Sequence, residues 1–577
     1  MEGLEVTVLL GLTILVGTLL APRLRVALPL VLVVFGLLLG FVPALREVQL
    51  PPETVLLLFL PVMLFWESLT TSLRSIRRDF RYILPMSTLL VVASAFAVAA
   101  VAAMFGIPWE IALILGAAVA PPDATAVAAL GGLLPRRAFM KLKAESLTND
   151  GTALVLYAIA VSLAVGGQVT PLMVTWTVLV SYLGGILVGA VVAAAAWLLL
   201  RRPGGSAIVI NVTMLLVPFT AFMIAELIHA SGVLAVVVAG LIAASLNAQV
   251  TTAASRRQAE AAWPFGVFLL NGALFVLIGL EVQWIVHQTS LQTIGWLSLI
   301  TVAVWAVLLV VRFLFQVLAV PLQRLSGGSA APLGVRTRMQ VVSTVAGMRG
   351  AVSLAIALSV PLALPDGSAL TGRGDVIFVT AGVILLSLLV QGPLLPAVAR
   401  WARHPVDHGE DEEFELAERT IAGAAMAALD ALAAEHGISA EVRDRVRRDG
   451  YEMLELANAR AAARERAIID AEVGAMEEML VSPDPLAGGT AESGDVAVAD
   501  GTTLQMVATS EDVDLEQRSP LIRHDEFSRL RLAMLEQKRQ VLGGLRRSGA
   551  VDDLVVHRIS ARLDLEQIRL EGIEQFD

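Results

Sequence analysis

The segment AESLTNDGTALVLY, from Ala144 to Tyr157, opens a long hydrophobic stretch and places four polar side chains where a membrane helix normally carries none. They are Glu145, Ser146, Asn149 and Asp150. At about 100° per residue on an α-helix, setting the first at about 0° puts the others at about 100°, 40° and 140°. All four therefore share one side of the helix, which predicts a polar site inside a membrane protein.

The composition indicates a polytopic membrane protein. The 577-residue chain is 56% hydrophobic and only 16% charged, with a mean hydropathy of +0.75, which is unusual for a water-soluble protein of this size. Residues 401–577 contain 20 Lys or Arg and 37 Asp or Glu, a net charge of −17, whereas residues 1–400 carry +7. The absence of cysteine excludes disulfides, thiolate catalysis and cysteine metal sites. No cofactor is expected.

Thirteen apolar stretches are long enough to cross a bilayer, which takes roughly 17 to 25 residues each. They lie near 4–21, 26–45, 52–73, 83–104, 109–132, 145–165, 173–200, 207–229, 231–247, 262–286, 293–323, 338–360 and 375–400. We interpret the first as a retained helix, because it lacks the basic region that begins a signal peptide. The transmembrane domain is therefore expected to occupy residues 1–400.

Basic residues collect in alternate loops between these stretches. They are Arg23, Arg25, Arg74, Arg77, Arg78, Arg81, Arg136, Arg137, Lys141, Lys143, Arg201, Arg202, Arg256, Arg257, Arg324, Arg336, Arg338, Arg400 and Arg403. Since cytoplasmic loops are the ones enriched in Lys and Arg, the N-terminus is expected outside and the C-terminus in the cytoplasm. The sequence thus predicts a multi-pass protein of the cell membrane, surrounded by lipid.

Two of the thirteen predicted helices are interrupted at matching places. Pro121, Pro122 and Asp123 lie in the middle of the fifth, and Gly347 to Gly350 lie in the middle of the twelfth. If the seventh helix is a linker, helices 1 to 6 and 8 to 13 form two inverted six-helix repeats. Paired broken helices in inverted repeats indicate the binding site of a secondary transporter. The predicted fold is therefore an all-α transporter with a helical cytoplasmic tail.

Ionisable groups inside the predicted spans are costly and point to function. They are Glu67, Asp123, Glu145, Asp150, Glu226, Arg312 and Arg349, with His229 near a helix end. Five acids against two arginines leave carboxylates without a basic partner. This balance suits a cation rather than an anion.

Asp150 is the candidate carrier of the transported ion. A carboxyl group removed from water holds its proton more tightly than an exposed one, so that a proton and a cation can compete for it near neutral pH. Asn149 cannot ionise but can donate and accept hydrogen bonds, and Ser146 offers a hydroxyl oxygen one turn earlier. Unwound carbonyls near Pro121 and Pro122 can supply further oxygen ligands. The alternative is that these groups only hold helices together.

Other charged groups are expected to support the site. Glu145 and Arg349 are expected to form a structural ion pair, because Arg349 lies too deep to stay unpaired. Asp123 is expected to offset the positive N-terminal end of a half-helix. Glu67 lines an entry path, contacts the ion, or is a carboxylate at the lipid surface; these alternatives stay open. Arg312 is expected to be satisfied by carbonyl groups or by an acid.

Two other classes of protein fit the sequence less well than a transporter. An intramembrane hydrolase needs a nucleophile with a base, or a His-Glu-x-x-His helix, and His229 has no partner histidine one turn away. Glu226 and His229, three residues apart on one helix face, instead favour a packing or gating network. A cation channel is the more distant alternative, but a titratable carboxylate beside paired broken helices favours alternating access.

At these residues the chain resembles the monovalent cation/proton antiporter-1 family, which includes NhaP-type bacterial sodium/proton antiporters and animal sodium/proton exchangers. The matching motifs are ESLTNDGTALVLY (Glu145 to Tyr157), Pro122 with Asp123, AELIHASGVLAVVVAGL (Ala225 to Leu241), FVLIGLE (Phe275 to Glu281) and GMRGAVSLA (Gly347 to Ala355). The resemblance implies an NhaA-like antiporter fold. It also implies a homodimer in which a core domain moves against a dimerising domain in an elevator-type motion.

The resemblance further implies electroneutral exchange of one sodium ion for one proton. The residues that match the family's cation-binding and supporting positions are Asp150, Asn149, Ser146, Glu67, Glu145 and Arg349. In that match Asp150 is the ion-binding aspartate and Glu145 pairs with Arg349. Because Asn149 stands where some transporters have a second aspartate, a single carboxylate carries either a proton or a sodium ion.

The chain departs from the family at the first broken helix. Many relatives carry Thr or Val directly before the aspartate, whereas this chain carries Pro122. A hydroxyl ligand is lost there but the carbonyl remains, so that sodium would be bound by Asp150, Ser146 and the backbone near Pro122. Selectivity among sodium, lithium and potassium stays open, and a potassium/proton antiporter with the same mechanism is the alternative.

The chain beyond residue 400 is expected to be a cytoplasmic tail. Residues 401–481 and 516–577 have apolar residues at helical spacing and many Glu/Arg pairs, which predicts helices. Residues 482–515 predict a disordered linker. The tail is interpreted as a regulatory region for an unidentified regulator, and its acidity argues against nucleic acid as a partner. His404, Asp407 and His408 favour an exposed loop over a metal site.

Overall fold

The protein is described by a computed structural model that is almost entirely helical. The structure describes residues 2–24, 26–42, 52–123, 136–166, 170–201, 206–319, 333–363, 370–402, 409–452, a few between 454 and 466, and 520–571. The chain forms two compact units, Met1–Asp407 and His408–Asp577. Each unit has its own hydrophobic core.

The first unit is built from apolar helices. They are α1 (Glu2–Leu24), α2 (Leu28–Leu39), α3 (Pro52–Leu69), α4 (Leu73–Ser87), α5 (Leu89–Met104), α6 (Trp109–Val119), α7 (Arg136–Ala164), α8 (Pro171–Leu179), α9 (Gly185–Leu200), α10 (Ala207–Leu227), α11 (Gly232–Val250), α12 (Ala253–Gln288), α13 (Leu291–Leu318), α14 (Leu333–Val345), α15 (Ala351–Leu358), α16 (Arg373–Leu386) and α17 (Gly392–Ala402). Short π-helical turns join α8 to α9 and α16 to α17.

Eight helical stretches among the described residues are long and apolar enough to cross a membrane, and four shorter apolar helices accompany them. This confirms a multi-pass membrane architecture. The count of thirteen spans and the inverted symmetry of two repeats stay predictions.

Short polar side chains fix the starts of several membrane helices. Thr170, Ser206, Thr252 and Ser290 each accept a hydrogen bond from the backbone N–H three residues later. Each bond satisfies one of the N–H groups that a helix leaves unpaired at its start. The helices α8, α10, α12 and α13 therefore begin where the sequence places these residues.

The helices of the first unit pack in two groups. We define the scaffold bundle as α1 to α3 and α9 to α12, in which α2 packs on α12, and α3 and α9 pack on α11. We define the core bundle as α4 to α7 and α13 to α17, in which α5 packs on α6 and α13, and α4 packs on α7. The two bundles meet where α3 contacts α7 and α15, where α11 contacts α7, and where α12 contacts α15 and α16.

Glycines allow helix backbones to touch within these bundles. A Cβ atom on Gly36 of α2 would lie 2.2 Å from the carbonyl oxygen of Val276, and one on Gly279 of α12 would lie 2.3 Å from that of Val33. Such small-residue contacts let membrane helices gain packing energy where no hydrophobic effect drives them together. They fix α2 against α12 in the scaffold bundle.

The second predicted helix interruption is present, and the helix before the first ends at the predicted place, whereas residues 124–135 lie outside the described part of the chain. The helix α6 ends at Val119, and the chain stays non-helical from there through Asp123. In the second interruption α14 ends at Val345 and α15 begins at Ala351. The breaks leave carbonyl groups without helical partners at the end of α6, and N–H groups without them at the start of α15.

The second unit is a separate helical body. It contains α18 (Gly409–Glu435), a helix over 440–452, α19 (Pro520–Ser548) and α20 (Asp553–Glu571). Its core includes Phe414, Ile421, Leu535, Leu542, Val555 and Ile559. The predicted linker at 482–515 and the group of His404, Asp407 and His408 lie outside the described residues.

A buried acid fixes one helix start in this unit. Glu526 is only 2% exposed and accepts hydrogen bonds from the backbone N–H and the hydroxyl of Ser439, at 3.1 and 2.6 Å. Because Ser439 directly precedes the helix over 440–452, the carboxylate lies at the positive end of that helix. The pair therefore ties α19 to the start of its neighbour.

Candidate ion-binding site

The two non-helical segments cross inside the core bundle. The backbone N–H of Asp123 donates a 2.7 Å hydrogen bond to the carbonyl oxygen of Met348. The guanidinium of Arg349 donates to the carbonyl oxygens of Val119 and Ala120, at 2.9 and 3.2 Å. These carbonyls form the negative end of the half-helix α6. A buried positive charge from one broken helix therefore stabilises the end of the other.

Asp123 lies at the opposite kind of helix end. A Cβ atom on Gly350 would lie only 1.8 Å from Oδ2 of Asp123, and Gly350 is the residue that directly precedes α15. The carboxyl group therefore lies against the positive N-terminal end of α15. A carboxylate at this location can offset the positive end of α15. Only a glycine at position 350 leaves room for the carboxyl group of Asp123.

Glu145 forms its ion pair with a different arginine from the one expected. Arg312 on α13 binds both carboxylate oxygens of Glu145, at 2.6 and 3.2 Å, and both side chains are 2% exposed. Arg312 also donates from Nε to the carbonyl oxygen of Ser343 at 3.0 Å. Glu145 forms the expected buried ion pair, but its partner is Arg312 and not Arg349.

The reason for the difference lies in the broken helices. The guanidinium of Arg349 is directed to the carbonyl groups at the end of α6, and it also donates to that of Gly347. A Cβ atom on Gly347 would lie 2.7 Å from Nε of Arg312. Gly347, the first glycine of the GMRG motif, thus makes room for the side chain of Arg312. Arg312, rather than Arg349, is therefore the partner of Glu145.

Asn149 connects α7 to the first interruption. Its side-chain amide donates a 3.1 Å hydrogen bond to the carbonyl oxygen of Pro122, and the residue is completely buried. Its amide oxygen, Oδ1, has no hydrogen-bond partner within the described part of the chain. The carbonyl that the sequence suggested as an ion ligand is therefore held by Asn149, whereas the amide oxygen of Asn149 is available.

Asp150 lies among other acids. Asp150 and Ser146 are 2% and 3% exposed, and the carboxyl group of Asp150 interacts electrostatically with Glu67 and Asp123. Glu67 comes from α3 of the scaffold bundle, and its Oε1 is buried without a hydrogen-bond partner among the described residues. Three carboxyl groups from three segments therefore approach one another where α3 meets α7.

Within the described ranges, no group of three His, Cys, Asp or Glu side chains has the arrangement of a metal site. The candidate residues on α3 and α7 carry carboxyl, amide and hydroxyl oxygens. Oxygen ligands are the ones that hard cations bind. Glu226 and His229 are not part of this group, because both are exposed at the end of α10.

Sequence reasoning missed two polar contacts of α7. Lys143 donates from Nζ to the carbonyl and hydroxyl oxygens of Thr70, at 3.0 and 2.8 Å. Thr152 bonds to the hydroxyl of Tyr182 at 2.7 Å, and Tyr182 lies in the π-helical turn Val180–Gly184. The charge pattern of the sequence places Lys143 in a basic loop, although its distance of seven residues from Asp150 puts both on one helix face.

Comparisons with known proteins identify the family of the chain. The model of the sodium/hydrogen exchanger transmembrane family matches residues 11–401. An uncharacterized Na(+)/H(+) exchanger of Mycobacterium tuberculosis is 37% identical over 98% of this chain and 96% of its own length. A sodium, potassium, lithium and rubidium/H(+) antiporter of Bacillus pumilus is 28% identical over 70% of this chain and 62% of its own.

The fold has a solved counterpart. The sodium proton antiporter MjNhaP1 of Methanocaldococcus jannaschii superimposes with a TM-score of 0.54 at 17% identity, over 69% of this chain and 99% of that one. At that identity the match shows the fold alone. Because the family model matches residues 11–401, well over half of the chain, the chain belongs to the sodium/hydrogen exchanger transmembrane family.

Proposed function

We propose that the protein exchanges sodium, or another small monovalent cation, for protons, with both ions competing for Asp150. Asn149 Oδ1, Ser146 and Glu67 supply further oxygens, and the carbonyl of Pro122 holds the amide of Asn149 in place. Na⁺ would lie between Asp150, Ser146 and the backbone near Pro122. The family assignment supports cation/proton antiport by a transporter that performs no chemical catalysis.

One observation carries this proposal: both buried arginines near the site already have partners. Arg312 is bound to Glu145, and Arg349 is bound to carbonyl groups of α6. Neither is directed to Asp150. A buried carboxylate without a basic partner is costly, and that cost is lifted by a proton or by a bound cation. The site therefore needs one of the two ions at any time.

The same competition supports an electroneutral exchange of one cation for one proton. Asn149, next to Asp150, cannot ionise, so that it adds no second charge to the cycle. The scaffold and core bundles provide two bodies that can move against each other, with Glu67 on one and Asp150 on the other. We propose that the core bundle moves in an elevator-type step, that the scaffold bundle dimerises, and that the protein lies in the cell membrane with its tail in the cytoplasm.

The second candidate is a potassium/proton antiporter with the same mechanism. The B. pumilus relative is named for sodium, potassium, lithium and rubidium, and Pro122 removes a hydroxyl ligand found in many family members. Fewer side-chain ligands favour a larger and less strictly coordinated ion. The ranking of sodium over potassium rests on the family's description.

The test is proton flux in proteoliposomes that contain the purified protein. Sodium, lithium and potassium gradients are imposed in turn, with and without a membrane voltage. We expect a proton flux with sodium that does not depend on voltage. Flux with potassium alone would favour the second candidate, and flux that follows the voltage would contradict electroneutral exchange. Liposomes without protein give the background.

A further inference from the structure

Lys143 lies on the same face of α7 as Asp150, seven residues and therefore about 10 Å earlier along the helix. By the positive-inside rule this is the direction of the cytoplasm. Its side chain is half-buried. It is thus a basic group on the route between the cytoplasm and the candidate ion site, and the mechanism described above does not use it.

The ammonium group of Lys143 is held by the end of another helix. It donates to the carbonyl oxygen of Thr70 at 3.0 Å and to its hydroxyl oxygen at 2.8 Å. Thr70 directly follows α3, so that its carbonyl belongs to the negative end of that helix. The hydroxyl of Thr70 donates in turn to the carbonyl of Trp66 at 3.0 Å. The position of Lys143 is therefore fixed by two acceptors of the scaffold bundle.

This position brings the ammonium close to Glu67. Glu67 lies one turn before Thr70 on α3, and its carboxyl group and Lys143 interact electrostatically. The neighbouring Lys141 is directed elsewhere, to Asp79 at 3.6 Å. Among the described residues near Glu67, Lys143 is thus the positive group, beside the acids Asp123 and Asp150.

We propose that Lys143 is a positioning residue that sets the affinity of the site for its monovalent cation. Its fixed positive charge opposes an entering cation and competes with it for the carboxylate of Glu67. The cation is therefore bound weakly enough to leave on the cytoplasmic side. Because Thr70 holds the ammonium on the scaffold bundle, the opposition acts while α7 and α3 are in contact. The inference rests on the proposed function of Asp150 and Glu67.

The test compares three variants in proteoliposomes, with KM for sodium and the maximal proton flux measured separately. Lys143→Met removes the charge, Lys143→Arg keeps it, and Thr70→Val removes the hydroxyl acceptor while the carbonyl and the charge remain. A unit charge at about 10 Å, with an effective dielectric constant of about 20, changes the affinity about tenfold. We expect KM to fall by up to that factor in Lys143→Met and to change less than about twofold in the other two.

A second measurement covers the case in which Lys143→Met does not transport. Sodium that binds the folded protein raises its unfolding temperature in detergent, and the sodium concentration at half-effect should be lower in Lys143→Met than in Thr70→Val. An unchanged or higher KM, or an unchanged half-effect concentration, would overturn the role of Lys143. Failure of the unmodified protein to show any cation-dependent proton flux would instead contradict the proposed function.

Discussion

The side-chain amide of Asn149 donates a hydrogen bond of 3.1 Å to the carbonyl oxygen of Pro122. This bond joins the helix that carries Asp150 to the first broken helix. The amide oxygen of Asn149 is buried and has no hydrogen-bond partner among the described residues. A residue that cannot ionise thus fixes the unwound backbone, and we propose that its amide oxygen binds the cation.

Replacing Asn149 should therefore affect both stability and transport. Asn149→Ala leaves the buried carbonyl of Pro122 without its donor, which costs about 1–3 kcal/mol, and removes one oxygen from the site. We expect a lower unfolding temperature in detergent and a higher KM for sodium. Thr148→Ala is the matched control, because the Thr148 hydroxyl donates within its own helix, to the carbonyl of Ala144. Equal effects of the two changes would argue against the role of Asn149.

The ion pair between Glu145 and Arg312 can be tested by rescue. Arg312→Gln leaves a buried carboxylate without its charge partner, an expected loss of about 3–5 kcal/mol in the free energy of unfolding. Adding Glu145→Gln removes the stranded charge, so that the double variant should be the more stable one. Unfolding in detergent measures both.

Arg349 supplies the control for this pairing. Arg349→Gln should destabilise the protein because the end of α6 loses its donor, and Glu145→Gln should not rescue it. Rescue of the Arg349 variant, with none of the Arg312 variant, would instead support the pairing first inferred from the sequence.

Gly350 should tolerate no side chain. Gly350→Ala places a Cβ atom where Oδ2 of Asp123 now lies, so that the carboxylate must leave the start of α15. We expect lower stability, by about 1 kcal/mol or more, and a strongly reduced proton flux. Gly295→Ala on α13 is the control, since a Cβ atom there meets nothing within 4 Å. Normal transport by Gly350→Ala would remove the argument for charge compensation by Asp123.

The hydrogen bond between Thr152 and Tyr182 should influence the maximal rate of transport rather than the affinity for sodium. Thr152 donates to the carbonyl of Ser87 at 2.8 Å and therefore accepts from Tyr182. This bond joins α7 to the π-helical turn before α9 of the scaffold bundle. If the bundles move against each other, this bond breaks in each cycle. Tyr182→Phe should change the maximal flux and leave KM for sodium within about twofold. A large change in KM alone would place Tyr182 at the ion site instead.

The sequence pattern predicts which residues are buried and where a helix breaks, but it does not predict the partners of Glu145 and Lys143. Burial of Asp150 and Asn149 follows from polar residues inside an apolar stretch, and the break at Asp123 follows from two prolines. The partner of Glu145 could not be predicted, because Arg312 and Arg349 both lie within predicted spans and only the packing of α13 beside the second interruption separates them. The role of Lys143 could not be predicted either, because the basic start of α7 continues into the helix and the order of charges along the chain does not reveal the acceptor at the end of α3.

The central claim is that Asp150 carries both ions, and the most direct measurement is cation-dependent proton flux in proteoliposomes that contain Asp150→Asn. The amide keeps the shape of the side chain but cannot exchange a proton, so that we predict no flux in either direction and a nearly unchanged unfolding temperature. Glu110→Gln, in the first turn of α6, should retain flux as the control. Cation-dependent proton movement by a folded Asp150→Asn variant would contradict the account.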